Sequence, residues 1–118
     1  MGTLAEGWTA LLGALLPVAC AGCGRLDVPL CPSCADLLAG PAAQVDDVPA
    51  PGCPPVTAVA DYDGAVRETV VAWKDHGRHD LTAALAAGLL AAVARAVLDA
   101  GPSAGPVLLV PVPSARRA

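Results

Sequence analysis

The chain has 118 residues, 55% of them apolar, and a formal net charge of −4. That apolar content excludes a disordered chain, and the acidic balance excludes non-specific nucleic-acid binding by the molecule as a whole. Only two local basic patches run against the charge, Lys74 to His79 and Arg116-Arg117. The chain is rich in Ala, has no Phe and has a single Tyr, so each residue buries little area and a thin core needs an additional staple.

In chain order, Trp8, Leu11, Leu12, Leu15 and Leu16 recur at helical spacing and predict a helix within residues 1–16, stopped by Pro17. Residues 17–40 carry four cysteines among Gly22, Gly24, Pro29 and Pro32, the punctuation of tight turns. Residues 41–55 hold Pro41, Pro49, Pro51, Gly52, Pro54 and Pro55 and read as a stiffened linker. Val56 to Tyr62 predicts a strand. Val66, Val70 and Trp73 then mark a helix face, with Gly77 as its stop. Asp80 is the expected N-cap of a last helix whose buried face is Leu81, Leu85, Leu89, Val93 and Val97, ended by Gly101-Pro102. Val107 to Val112 is an unbroken apolar run, as in a strand buried on both faces. The expected fold class is therefore a small N-terminal zinc ribbon followed by an incomplete α/β unit over 56–118, ordered strand-helix-helix-strand.

Residues 8–20 are apolar and end at a cysteine, but Glu6 and no cation precedes them, so they do not read as a leader. Residues 81–98 are apolar but mostly Ala, short of the roughly twenty strongly apolar residues that span a bilayer. A cytoplasmic protein without a membrane span is expected, and in that compartment clustered cysteines read as metal ligands before disulfides.

Cys20-Ala-Gly-Cys23 and Cys31-Pro-Ser-Cys34 are two Cys-x-x-Cys pairs with seven residues between them. Each pair turns tightly and aims two thiolates at one point. Two such turns make the closed tetrahedral site of a structural Zn²⁺. Iron in the same ligands, and a disulfide or redox pair, are the alternative readings. Four protein thiolates leave no position for water, so a zinc ion here holds a fold and does no chemistry. Cys53, between Gly52 and Pro54, reads as a free thiol.

Tyr62-Asp63-Gly64-Ala65-Val66-Arg67, then Trp73-Lys74-Asp75-His76-Gly77-Arg78, follow the pattern Tyr-x-Gly-x-x-Arg … Lys-x-x-Gly-Arg. With the four cysteines upstream and Val110-Pro111-Val112-Pro113 downstream, this order resembles the ComF family over nearly the whole chain. The resemblance implies a zinc ribbon joined to a type I phosphoribosyltransferase domain, and a link to competence (uptake of transforming DNA) or to nucleotide metabolism. Implied partners are single-stranded DNA, the competence machinery, or a protein carrying the rest of the domain. The family's phosphoribosyl-diphosphate loop, a Thr- and Gly-rich turn that cradles phosphate, has no counterpart after Pro113. The chain thus reads as the front part of a longer enzyme-like protein, inactive alone, with no catalytic residue to name.

Lys74, Arg78, Arg116 and Arg117 are the candidate contacts to phosphate or nucleic acid. For Lys74 and Arg78 the competing reading is a helix end and its turn, where cations suit the helix dipole. Trp73 shares the stripe of Val66 and Val70 and is expected in the core. The alternative to an enzyme fragment is a non-catalytic zinc-ribbon adaptor that binds a protein or nucleic acid.

Overall fold

A computed structural model describes residues 4–15, 18–47, 50–103 and 105–114. The elements are α1 (Leu4–Leu15), α2 (Pro32–Leu38), β1 (Ala43–Gln44), β2 (Thr57–Ala58), α3 (Gly64–Asp75) and α4 (Thr82–Ala100), with one 3₁₀ turn, His79–Leu81, leading into α4. The radius of gyration is 18.3 Å, against about 13–14 Å for a compact domain of this length. The chain therefore does not close into one ball.

α1 forms where the Leu repeat predicts it, but Leu4, Trp8 and Leu11 are exposed. The side chains of Leu12 and Leu15, and all of Leu16 and Pro17, lie outside the described residues. The cysteine segment opens with a hairpin in which Ala19 bridges Leu26. Its bonds run from Asp27 N–H to the Val18 carbonyl (2.8 Å) and from Cys20 N–H to the Arg25 carbonyl (2.7 Å). Gly24 sits at φ +81°, a conformation cheap only for glycine, at the tip. α2 then starts at Pro32, the residue whose missing N–H costs a first helical turn nothing.

Within the stretch 41–55 expected as a linker, Ala43 and Gln44 form a short strand, and Val48 and Pro49 lie outside the described residues. β1 pairs antiparallel with β2 in the register Ala43 to Ala58 and Gln44 to Thr57, and Val45 N–H adds a bond to the Val56 carbonyl at 2.8 Å. The strand expected over 56–62 is therefore short, because its partner supplies little edge.

α3 ends as Gly77 (φ +68°) turns the chain away, with the N–H groups of His76 and Arg78 both donating to the Ala72 carbonyl at 3.2 and 3.1 Å. Thr69, buried on α3, donates its hydroxyl to the Ala65 carbonyl at 2.7 Å. This i→i−4 bond satisfies a polar group that burial would otherwise strand. α3 and α4 both pack on α2, and α4 lies over β1 and β2.

Two expectations for α4 are corrected. Asp80 does not cap the helix: it lies inside the 3₁₀ turn, and no side chain caps α4. The inward face runs through buried Leu81 and Gly88 and half-buried Leu85, Ala92 and Val93, while Leu89 and Val97 are exposed. The stripe drifts because a 3.6-residue period favours i+3 and i+4 steps in alternation, and the expected face stepped by four throughout. Gly88 marks the closest approach. A Cβ there would stand 2.7 Å from the Leu38 carbonyl oxygen and 3.4 Å from Val59 Cγ2.

The strand expected over Val107–Val112 is not formed. That stretch is irregular and exposed, with no ladder partner among the described residues. Pro111 and Pro113 carry no N–H to donate, and a strand covered on both faces needs neighbouring strands that the two-stranded sheet does not offer. Val107 and Leu109 instead flank the end of α4, enclosing with Val93, Val97 and Ala100 an open apolar cavity of about 320 Å³. Among the described residues, His79–Ala100 is the one helical stretch long and apolar enough by composition to cross a membrane.

Candidate metal centre

Cys20 and Cys23 are carried by the hairpin, and Cys31 and Cys34 by the entry to α2. The hairpin bends its pair inward because Gly24 N–H closes the turn onto the Cys20 carbonyl at 2.9 Å. Cys31 is the N-cap residue of α2, so Cys34, three residues on, rises from the same first turn. Ala21 N–H donates to the Pro29 carbonyl at 3.1 Å and ties the two halves together.

All four Sγ atoms lie within 4.8 Å of one another. Cys23 Sγ and Cys31 Sγ are 3.7 Å apart, and the edge of a tetrahedron with Zn–S near 2.3 Å is about 3.8 Å. No pair is disulfide-bonded: all five cysteines are free. Cys20, Cys31 and Cys34 are buried, while Cys23 is exposed. Val28, Leu30 and Ala65 pack around the three buried sulfurs. Four sulfurs this close, three of them covered, could hold a metal ion, and thiolate ligands favour a soft divalent one.

The thiols are not equivalent. At Cys20 burial pushes the pKa up, but the backbone N–H groups of Cys31, Cys23 and Gly22 together outweigh it and bring the value down to about 6. The Cys31 N–H reaches Cys20 Sγ at 3.3 Å. The backbone N–H of Cys34 likewise lowers Cys31. Cys34 is pushed up to about 12, first by burial and then by the surrounding thiols. The cluster therefore already holds thiolate at Cys20 near neutral pH, and only a cation at the centre would make four thiolates tolerable.

Gly22 has a role that its place in a Cys-x-Gly-Cys turn does not by itself reveal. A Cβ on it would fall 2.7 Å from Cys34 Sγ and 3.1 Å from Ala65 Cβ. The first cysteine loop thus sits directly against α3, and only the smallest residue fits between them.

Of the other candidates, Lys74 is exposed on the last turn of α3. Arg116 and Arg117 lie outside the described residues. Arg78 is engaged within the protein. Its Nε and Nη2 donate to both carboxylate oxygens of Asp80 at 3.0 and 2.9 Å. Its Nη1 and Nη2 donate to the Ala19 and Pro29 carbonyls at 3.3 and 3.2 Å. Trp73 is not in the core; its ring is partly exposed, and its indole N–H donates to Thr82 Oγ1 at 2.9 Å. Cys53 is half-buried and stands apart from the cluster.

No family model, curated protein or solved structure matches this chain. Its functional reading therefore rests on the four cysteines and what surrounds them.

Proposed function

We propose that this chain is a metal-organised binding module. Cys20, Cys23, Cys31 and Cys34 would hold one structural Zn²⁺, and the protein would act by contact with a partner. The observation that carries this reading is the convergence of the four Sγ atoms within 4.8 Å, two from a hairpin and two from a helix start. Four protein ligands complete the tetrahedron and exclude substrate from the ion. The ion would supply cohesion, because a preformed four-thiolate site does not exist in the unfolded chain and binding energy becomes folding energy.

The test is metal content. The full chain, purified without added metal and analysed by elemental mass spectrometry, is expected to carry one zinc per molecule. Cobalt(II) in its place is expected to give the intense visible absorption of a tetrahedral thiolate complex. Stoichiometric iron would assign the site to an iron centre instead, and absence of any metal after reconstitution would end the reading.

A second reading follows from the order of motifs. Tyr62 to Arg67, Trp73 to Arg78 and Val110 to Pro113 behind a cysteine ribbon resemble the ComF family, with a phosphoribosyltransferase-like domain and a role in DNA uptake or nucleotide metabolism. Binding of phosphoribosyl diphosphate, or of single-stranded DNA with the salt dependence of phosphate contacts, would favour it. Of its candidate contacts, Lys74, Arg116 and Arg117 are the ones to test, because the guanidinium of Arg78 is engaged by Asp80 and the Ala19 and Pro29 carbonyls.

A further inference from the structure

Arg78 comes from the corner between α3 and α4, yet its guanidinium ends among the backbone of the cysteine segment. The two carbonyls it reaches are not arbitrary. Ala19 immediately precedes Cys20, and Pro29 lies two residues before Cys31. They belong to the two stretches of backbone that deliver the two halves of the ligand set. Pro29 O also accepts from Ala21 N–H, the residue after Cys20, at 3.1 Å. One planar cation therefore spans both arms of the site. Its fork is held in plane by the bidentate bond to Asp80 at 2.9 and 3.0 Å. A lysine has the charge but not the fork, and cannot bind two carbonyls and a carboxylate in one plane.

We propose that Arg78 is a positioning residue for the four-cysteine centre: by clamping the Ala19 and Pro29 carbonyls from the α3–α4 corner it sets the separation of the two cysteine arms, and so couples metal affinity to the seating of α3 and α4. The inference rests on the reading of the four cysteines as a metal site. Coupling of this kind is reciprocal. If the clamp tightens metal binding, bound metal must tighten the corner. A guanidinium bound to these carbonyls also brings a positive charge toward a cluster that would be net negative as a tetrathiolate.

The test measures zinc affinity of the full chain by competition with a chromogenic chelator, in wild type, Arg78→Ala, Arg78→Lys and Arg95→Ala. Arg95, paired with Asp99 on the far part of α4 at 3.1 Å, controls for loss of one positive charge. Arg78→Ala is expected to weaken zinc binding by about 10–100-fold, the usual range for residues that orient metal ligands. Arg78→Lys is expected to recover only part of this, and Arg95→Ala to bind as wild type. The cobalt(II) spectrum is expected to shift in the Arg78 variants, which a purely global loss of stability would not produce. Wild-type affinity in Arg78→Ala or in Arg78→Lys overturns the proposal. If Arg78→Ala does not keep its helices, wild-type hydrogen exchange decides. Zinc is expected to protect amides 76–82 and leave 95–100 nearly unchanged, and equal effects on both segments overturn the clamp. A wild type that binds neither zinc nor cobalt removes the metal reading itself, a result distinct from all of these.

Discussion

Around Cys20, Cys31 and Cys34 the backbone is cross-tied and the sulfurs are covered, whereas the second half of α4 and residues 107–112 hold Leu98 and Leu108 at 75% and 84% exposure. The second region is the more apolar of the two by sequence, yet it is the less organised. The first has one point toward which four side chains converge. The second has apolar side chains and no convergence, because Ala contributes little area and Pro111 and Pro113 interrupt pairing. Apolar composition alone therefore does not locate the core in this chain. The buried positions gather where a centre and close backbone approach exist, at Cys20, Cys31, Cys34, Leu38, Thr69, Ala72, Leu81 and Gly88.

The largest expected effect breaks the first region. Addition of a strong chelator at neutral pH is expected to remove hydrogen-exchange protection over 18–40 and loosen α3 and α4 from α2. The apparent binding energy at stake in such sites is about 10–16 kcal/mol. Unchanged protection would mean that packing, not metal, holds the segment.

Next in size is Gly88→Ala. Alanine favours a helix interior over glycine by about 1 kcal/mol, while overpacking costs about 1–3 kcal/mol. The obstacle is the Leu38 carbonyl, backbone that cannot swing aside. A net loss of about 1 kcal/mol is expected in urea unfolding, and a gain would show that α2 and α4 do not approach so closely.

A smaller effect concerns the corner. The Arg78 guanidinium beside Asp80 holds its carboxyl below the usual carboxylate range. A depressed folded-state value means that the pair's contribution is present above the unfolded value of about 3.9 and fades as pH falls through the folded one. The pair is partly exposed, at 28% and 45%, so at most about 1 kcal/mol is expected. Asp80→Asn is expected to abolish that share of the acid-range slope in an unfolding series. An unaltered slope would detach Asp80 from the corner.

The smallest effect sharpens the second region. Leu90→Lys and Leu98→Lys are expected to change stability by no more than about 0.5 kcal/mol, since both side chains are already in water. A loss above about 2 kcal/mol would show that this face is covered in the working protein.

What was legible in the sequence follows the same division. The cysteine pairs announced their site because ligand spacing is a local property, and α3 and α4 announced themselves by period, with Gly77 and Gly101 as stops. Asp80 reads as a cap because a cap and an ion pair look alike until the partner's position is known. Arg78 reads from sequence as a helix-end cation or a phosphate contact for the same reason: its partners, Ala19 and Pro29, are 59 and 49 residues away in sequence. Gly88 left a faint trace, a glycine in an Ala-rich helix where it costs stability. The pairing of Ala43 and Gln44 with Ala58 and Thr57 left none, since a proline-rich composition does not show which of its residues will pair.

The distance between Arg78 and the carbonyls it holds also has a meaning in time. A polypeptide is made from its N-terminus, at about 5–20 residues per second. All four cysteines are therefore in existence before the residue that reaches back to them has been added. In the growing chain the ligand set precedes its clamp, and for that interval an ion captured there would be held by the hairpin and the first turn of α2 alone. Completion of the α3–α4 corner would then act as a lock on an ion already chosen.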